Sequence, residues 1–178
     1  MYEQPRFIRH GVPLAPHRTE PSKPFQWPLA RFGNRDPIVL ATHQDDERQG
    51  LDLGYQPSPL DHELFVPVHA ANDGDLVFAL DCPDGFAISL DHGGSWTTHY
   101  AHLSKMFVPQ CLPRLHASRR RVKAGEVIGY AARNPLHIRF ELWHWTDDRG
   151  YVPVDPLVYL EKWRATLSPA QVSSREAA

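Results

Sequence analysis

Beyond residue 25 the chain alternates short apolar runs with turn signals at close spacing, the pattern of an antiparallel all-β domain. Residues 74–80 read as a strand, and Cys82-Pro83-Asp84-Gly85 follows with Pro and Gly where a reversal needs them. Residues 86–91 are the partner strand. His92-Gly93-Gly94-Ser95 makes the next reversal, and residues 96–103 run back through the β-formers Trp96, Thr97, Thr98 and Tyr100. Further strands are predicted over 126–131 and 136–145. Asp155-Pro156 then opens a short helix, with Asp as N-cap and Pro at the first helical position. Leu157, Leu160 and Trp163 are spaced to pack that helix back on the sheet.

The flanks have a different texture. Residues 1–24 carry Pro5, Pro13, Pro16, Pro21 and Pro24 among polar neighbours, which predicts an extended arm rather than a helix or a sheet centre. The β domain then occupies 25–163, and 164–178 is expected to fray. Between Ser104 and Ala124 lies a long connection with Pro109, Pro113 and Arg119-Arg120-Arg121, a basic run of the kind that forms a solvated loop.

Composition narrows the function classes. A chain of 178 residues with 42% hydrophobic and 22% charged positions suits one globular domain with tails. A net charge of -2 gives no bulk attraction to nucleic acid or an anionic bilayer, so neither is expected as a partner. No apolar run approaches the ~20 residues that span a membrane. The first residues place charges and prolines where a signal peptide needs apolar ones, as in a cytoplasmic protein, one exported by another route, or numbering that begins after processing. Cys82 and Cys111 form no CxxC spacing; two free thiols are expected, with a single bridge left open.

Several motifs in order give a resemblance. Phe25-Gln26-Trp27-Pro28 and Arg31-Phe32-Gly33-Asn34-Arg35 precede Gln49-Gly50-Leu51-Asp52-Leu53. Val68-His69-Ala70-Ala71-Asn72-Asp73-Gly74 follows, then Leu90-Asp91-His92-Gly93 and Tyr100-Ala101-His102-Leu103-Ser104. Val122-Lys123-Ala124-Gly125-Glu126-Val127-Ile128-Gly129, His137-Ile138-Arg139-Phe140-Glu141 and Asp155-Pro156 complete the set. Colinear over roughly 25–160, these resemble the M23 (LytM/lysostaphin-type) peptidoglycan endopeptidases, which implies an antiparallel β-sheet, sandwich-like core with a short C-terminal helix. The Val122–Gly129 turn also occurs in biotinyl and lipoyl carriers, but those need a Met-Lys tip, and here the pair is Lys105-Met106, reversed and elsewhere.

In that family zinc is held by the first His and the Asp of H-x-x-x-D and by the second His of H-x-H, leaving one position for an activated water. Carried onto this chain, the ligand positions are Arg48, Asp52 and Arg139, while the two metal-free catalytic histidines fall on His102 and His137. A guanidinium has no free lone pair and does not deprotonate at physiological pH, so neither Arg can bind zinc. No cofactor is therefore expected, and Arg48 and Arg139 are predicted to clamp Asp52 through bidentate hydrogen bonds in the dication's place. Of the other histidines, His43 lies too far along the strand from Asp52, and His69 is a weak candidate. Period-two alternation turns His99 away from His102 and His144 away from His137. An alternative ligand set of His102, His137 and Asp52 would restore zinc.

The connection from Gly129 to His137 is shorter than the Gly/Thr-rich loop of active members, which implies an open cleft. The resemblance thus implies a catalytically inactive domain acting as a cell-wall-associated binding, scaffold or regulatory protein. The amidase activators of this family are one precedent, and the family norm is the periplasm or cell envelope. Expected partners are a peptidoglycan peptide or glycan, a cell-wall hydrolase, or a secretion-machinery protein, with Tyr100 and Trp143 lining the groove beside His102 and His137. The alternative is an active zinc endopeptidase with a non-standard ligand set.

Overall fold

Among the described residues the computed structural model has ten strands and one helix: β1 Ile38–Asp45, β2 Arg48–Gly54, β3 Pro67–His69, β4 Gly74–Cys82, β5 Gly85–Gly93, β6 Trp96–Met106, β7 Arg121–Val122, β8 Val127–Arg133, β9 Leu136–Thr146, β10 Gly150–Val154 and α1 Pro156–Thr166. Described are 24–45, 48–59, 61, 64–110, 120–133 and 136–166, without the side chains of 43–45, 48, 49 and 162–166. The arm expected over 1–24 therefore lies outside the described residues but for its last position, as do most of the 164–178 tail, Cys111 with its possible bridge to Cys82, and the side chains of His43, Arg48 and Trp163.

All strand pairings are antiparallel, in one sheet of order β1-β2-β9-β8-β6-β5-β4-β7, with β3 on β8 and β10 on β9. The all-β fold class read from the sequence holds. β9 is the hub. Along one edge it pairs with β2 over residues 137–141 and β10 over 142–146; along the other it pairs with β8 and then β6.

Turn chemistry sets these registers. Gly93 pairs with Trp96, leaving Gly94 and Ser95 as a two-residue loop with φ of 57° and 76°, the doubly left-handed reversal that suits hairpin twist. Earlier, Phe32 and Arg35 exchange backbone hydrogen bonds of 2.9 and 3.1 Å around Gly33 at φ 62°. That turn aims the Arg35 guanidinium at Asp61 (2.6 Å) and at the carbonyl of Gln56, over the Tyr55 ring. The Phe-Gly-x-Arg motif is a structural clamp.

One face of the sheet holds the core, in which Leu51, Leu53, Ile88, Leu90, Trp96, Tyr100, Ile138 and Phe140 are buried. Asp155 caps α1 by accepting from the Leu157 N–H at 2.9 Å, and Leu160 and Leu157 pack on the core. The long connection yields the tail of β6 and the short β7, where Arg120 engages Glu126 and Arg121 is exposed. Among the described residues, no helix is long and apolar enough to cross a membrane.

His92 shows how polar groups are tolerated inside. Its Nδ1 lies 2.8 Å from the Asp73 carbonyl, which can only accept, so Nδ1 carries the proton. Nε2 must then accept from Thr98 Oγ1 at 2.7 Å. Thr98 Oγ1 lies 3.2 Å from the Tyr100 hydroxyl, which in turn accepts from the Ala71 N–H at 2.7 Å. Each proton has one place. Burial pushes His92 down to about 4 and Tyr100 up to about 12.

Candidate functional site

Alternation along β9 sorts its side chains. Ile138, Phe140 and Leu142 enter the core, while His137, Arg139, Glu141 and Trp143 project from the other face. The neighbouring strands place a partner beside each. Gly54 and Ala132 flank His137; Asp52 and Ala101 flank Arg139; Gly50 and His99 flank Glu141; Thr97 flanks Trp143. The small residues are needed for closeness: a Cβ on Gly54 would overlap the Leu136 carbonyl oxygen, and one on Gly50 would press Glu141 Cγ at 3.0 Å.

His102 reaches this face by an irregularity. It sits where β6 leaves β9 at Ala101 and joins β8 at Leu103, and its φ is 58°. A non-glycine residue in that conformation costs about 1–3 kcal/mol, a strain found mainly at functional positions. The twist carries its ring to His137, with Nδ1 2.8 Å from Nε2. One nitrogen must donate and the other accept, so at least one ring is neutral. Burial and the His137 ring hold His102 below the usual histidine range, partly opposed by Asp52.

The same irregularity corrects an expectation. His99 lies on the face of His137 and Arg139, not away from it, because the left-handed residue breaks the alternation between positions 99 and 102. His99 packs between Phe78 and Trp143, at ring separations of 5.7 Å each, and burial pushes it down to about 4 despite Glu141. His144 does face the core, its ring tilted against Trp96 with centroids 4.4 Å apart. His69 turns elsewhere, with Nδ1 3.0 Å from the Gly125 carbonyl.

Arg139 and Asp52 meet across β9 and β2, but the contact differs from the bidentate clamp expected. Arg139 Nη1 stands 3.9 Å from Asp52 Oδ1, an ion pair too long for a hydrogen bond between those atoms. Its Nε instead donates to Glu141 Oε1 at 3.0 Å, and Glu141 Oε2 accepts from Trp143 Nε1 at 3.0 Å. Glu141, buried and two positions from Arg139, is the partner that sequence reasoning missed; period-two spacing on one face was the available signal. Tyr100 is corrected as well. It is fully buried on the core side against Phe140, with its hydroxyl spent on Thr98 and Ala71, so it lines no groove. Trp143 does share the face of His137.

The residues at the three expected ligand positions do not fit zinc. Asp52 is the lone carboxylate among the three expected ligand positions, Arg139 brings a fixed cation beside it, and position 48 is a second Arg. Among the described residues, no three His, Cys, Asp or Glu side chains are grouped to hold a metal ion.

Comparison with known proteins places this geometry. The structure is similar to a zinc-containing peptidase from Vibrio cholerae, at TM-score 0.53 and 18% identity, over 75% of this chain and 40% of that one. It is similar to lysostaphin at TM-score 0.51 and 21% identity, over 79% and 54%. The SpoIIQ–SpoIIIAH pore forming complex gives TM-score 0.51 and 18% identity, over 82% and 99%. The chain thus spans about half or less of the first two, and at these identities the likeness is one of fold. A search of the curated proteins finds no match. The profile of peptidase family M23 matches residues 49–156, well over half of the chain and including every strand from β3 to β10, and on that match the chain belongs to peptidase family M23.

Proposed function

We propose that this M23 domain is non-catalytic and works by binding, as a cell-wall-associated scaffold or regulator. The observation that carries the reading is the Arg139 guanidinium, set opposite Asp52 and anchored to Glu141 where the family's scheme calls for a histidine ligand. An Arg there offers Asp52 a permanent cation and offers a metal no lone pair. Fold likeness alone does not choose between enzyme and binder; the ligand chemistry supports the binder. A peptidoglycan peptide or glycan, a cell-wall hydrolase or a secretion-machinery protein would lie across the face of β9 that carries His137 and Trp143, over His102. The similarity to one component of a two-protein complex supports a protein partner.

Metal analysis of protein purified without chelator, then again after zinc addition, tests the reading. Zinc well below one atom per chain in both samples, with no release of peptide from purified peptidoglycan, is expected. Stoichiometric zinc together with hydrolysis would overturn it and favour His102, His137 and Asp52 as ligands of an active endopeptidase.

A further inference from the structure

The face that carries His137 continues past the cleft into a strip that the cleft's chemistry does not use. Tyr130 and Ala132 alternate on β8, and Ala132 pairs with His137, so Tyr130 shares that face. Lys105 and Pro67 both pair with Tyr130 from either side, and Phe107 and Phe65 stand two residues farther along their segments. Three aromatic rings result in a row. Phe65 is edge-to-face with Tyr130 at 5.4 Å, and Phe107 with Tyr130 at 4.8 Å. Phe65 is 52% exposed and Phe107 39%. Large apolar side chains left in solvent together, rather than singly, mark a docking surface.

Charge and ring geometry narrow the occupant. Arg133 lies over the Phe65 face, Cζ 3.6 Å from its centroid, and Lys105 Nζ lies 5.4 Å from the Phe107 centroid. Among the described residues Arg133 Nε is buried without a hydrogen-bond partner, and the guanidinium lies on the Phe65 ring. Glu126, just before β8, is already engaged by Arg120 and the Lys123 N–H. A sugar or a nucleobase stacks on flat ring faces, whereas Phe65 and Phe107 each carry a cation on one face and meet Tyr130 at 62° and 84°, so the three rings form no flat platform. The strip thus presents exposed apolar ring area beside two cations. The chain's own first residues are a poor complement, with Arg6, Arg9, Arg18 and Lys23 against Glu3 and Glu20.

We infer that this strip docks an acidic polypeptide segment, with carboxylates on Arg133 and Lys105 and aliphatic side chains against Phe65 and Phe107. The inference does not rest on the cleft being non-catalytic; zinc in the cleft would leave it standing.

The test is fluorescence anisotropy of the full chain with a labelled hexapeptide of alternating Glu and Leu, beside its Gln/Leu counterpart, an acidic glycan and a single-stranded oligonucleotide. Binding of the Glu/Leu peptide at least about tenfold tighter than the Gln/Leu peptide is expected, a difference of about 1.4 kcal/mol. Arg133→Gln and Lys105→Gln should each weaken it about fivefold or more, and Phe65→Ala likewise, with unchanged circular dichroism. Equal affinity for the two peptides, tighter binding of the glycan or oligonucleotide, no binding below about 1 mM, or affinity indifferent to all three substitutions would each overturn the assignment.

Discussion

Arg139 and Glu141, two positions apart on β9, are hydrogen-bonded through Nε and Oε1 at 3.0 Å, with Asp52 3.9 Å away on the next strand. Glu141 is 5% exposed and also accepts from Trp143, so removing its charge strands two donors. Glu141→Ala should destabilise the domain by about 2–3 kcal/mol, with Glu141→Gln costing less. Urea unfolding checks this; an unchanged midpoint for the Ala variant would mean that Arg139 is satisfied without Glu141.

Restoring the ligand chemistry makes a second prediction. Arg48→His combined with Arg139→His restores both imidazoles of the family's ligand scheme to accompany Asp52, the donor set a zinc site needs. The double variant should take up about one zinc per chain under conditions where the parent takes up none. Metal analysis after dialysis decides it, and equal zinc in both proteins would show that the arginines are not what excludes the metal.

The pH dependence of stability follows from two histidines. His92 and His99 are each pushed down to about 4, below the ordinary 6.5. As pH falls the unfolded chain is protonated first, so their contribution is complete above about 6.5 and lost toward pH 4. The slope is on the order of 1.4 kcal/mol per pH unit per histidine. Denaturation midpoints at pH 7, 6 and 5 should therefore drop in sequence; a flat profile over that range would refute the burial of these rings.

Gly54 tests the register under His137. A methyl there would overlap the Leu136 carbonyl, which belongs to the strand and cannot swing away. Gly54→Ala should cost about 3 kcal/mol or more, read as a large fall in melting temperature. A melting temperature within about 2 °C of the parent would require β2 and β9 to sit farther apart than described.

Much of the frame was legible because each turn names itself. Pro83, Gly85, Gly93 and Gly94 mark reversals that no other residue types suit as well, and Asp155-Pro156 marks the helix start. His102 and His137 were legible as a pair from their motifs, and they are hydrogen-bonded. What stayed hidden depended on the backbone or on register. Nothing in Ala101-His102-Leu103 announces a left-handed histidine, so counting by twos misassigned His99. Tyr100 read as a groove residue because a tyrosine suits either environment; its partners Phe140 and Ala71 lie 40 and 29 positions away in sequence. Glu141 looked like part of a motif until the neighbouring strand put Gly50 opposite it and left room for its bond to Arg139.

A positive charge carried by an arginine is synthesised with the chain and stays with it. The counter-ion that Arg139 gives Asp52 cannot be stripped by a chelator, exchanged for copper or nickel, or left out when the protein is made in a metal-poor medium. Copies of this domain differing in their history of metal exposure should accordingly present the same cleft.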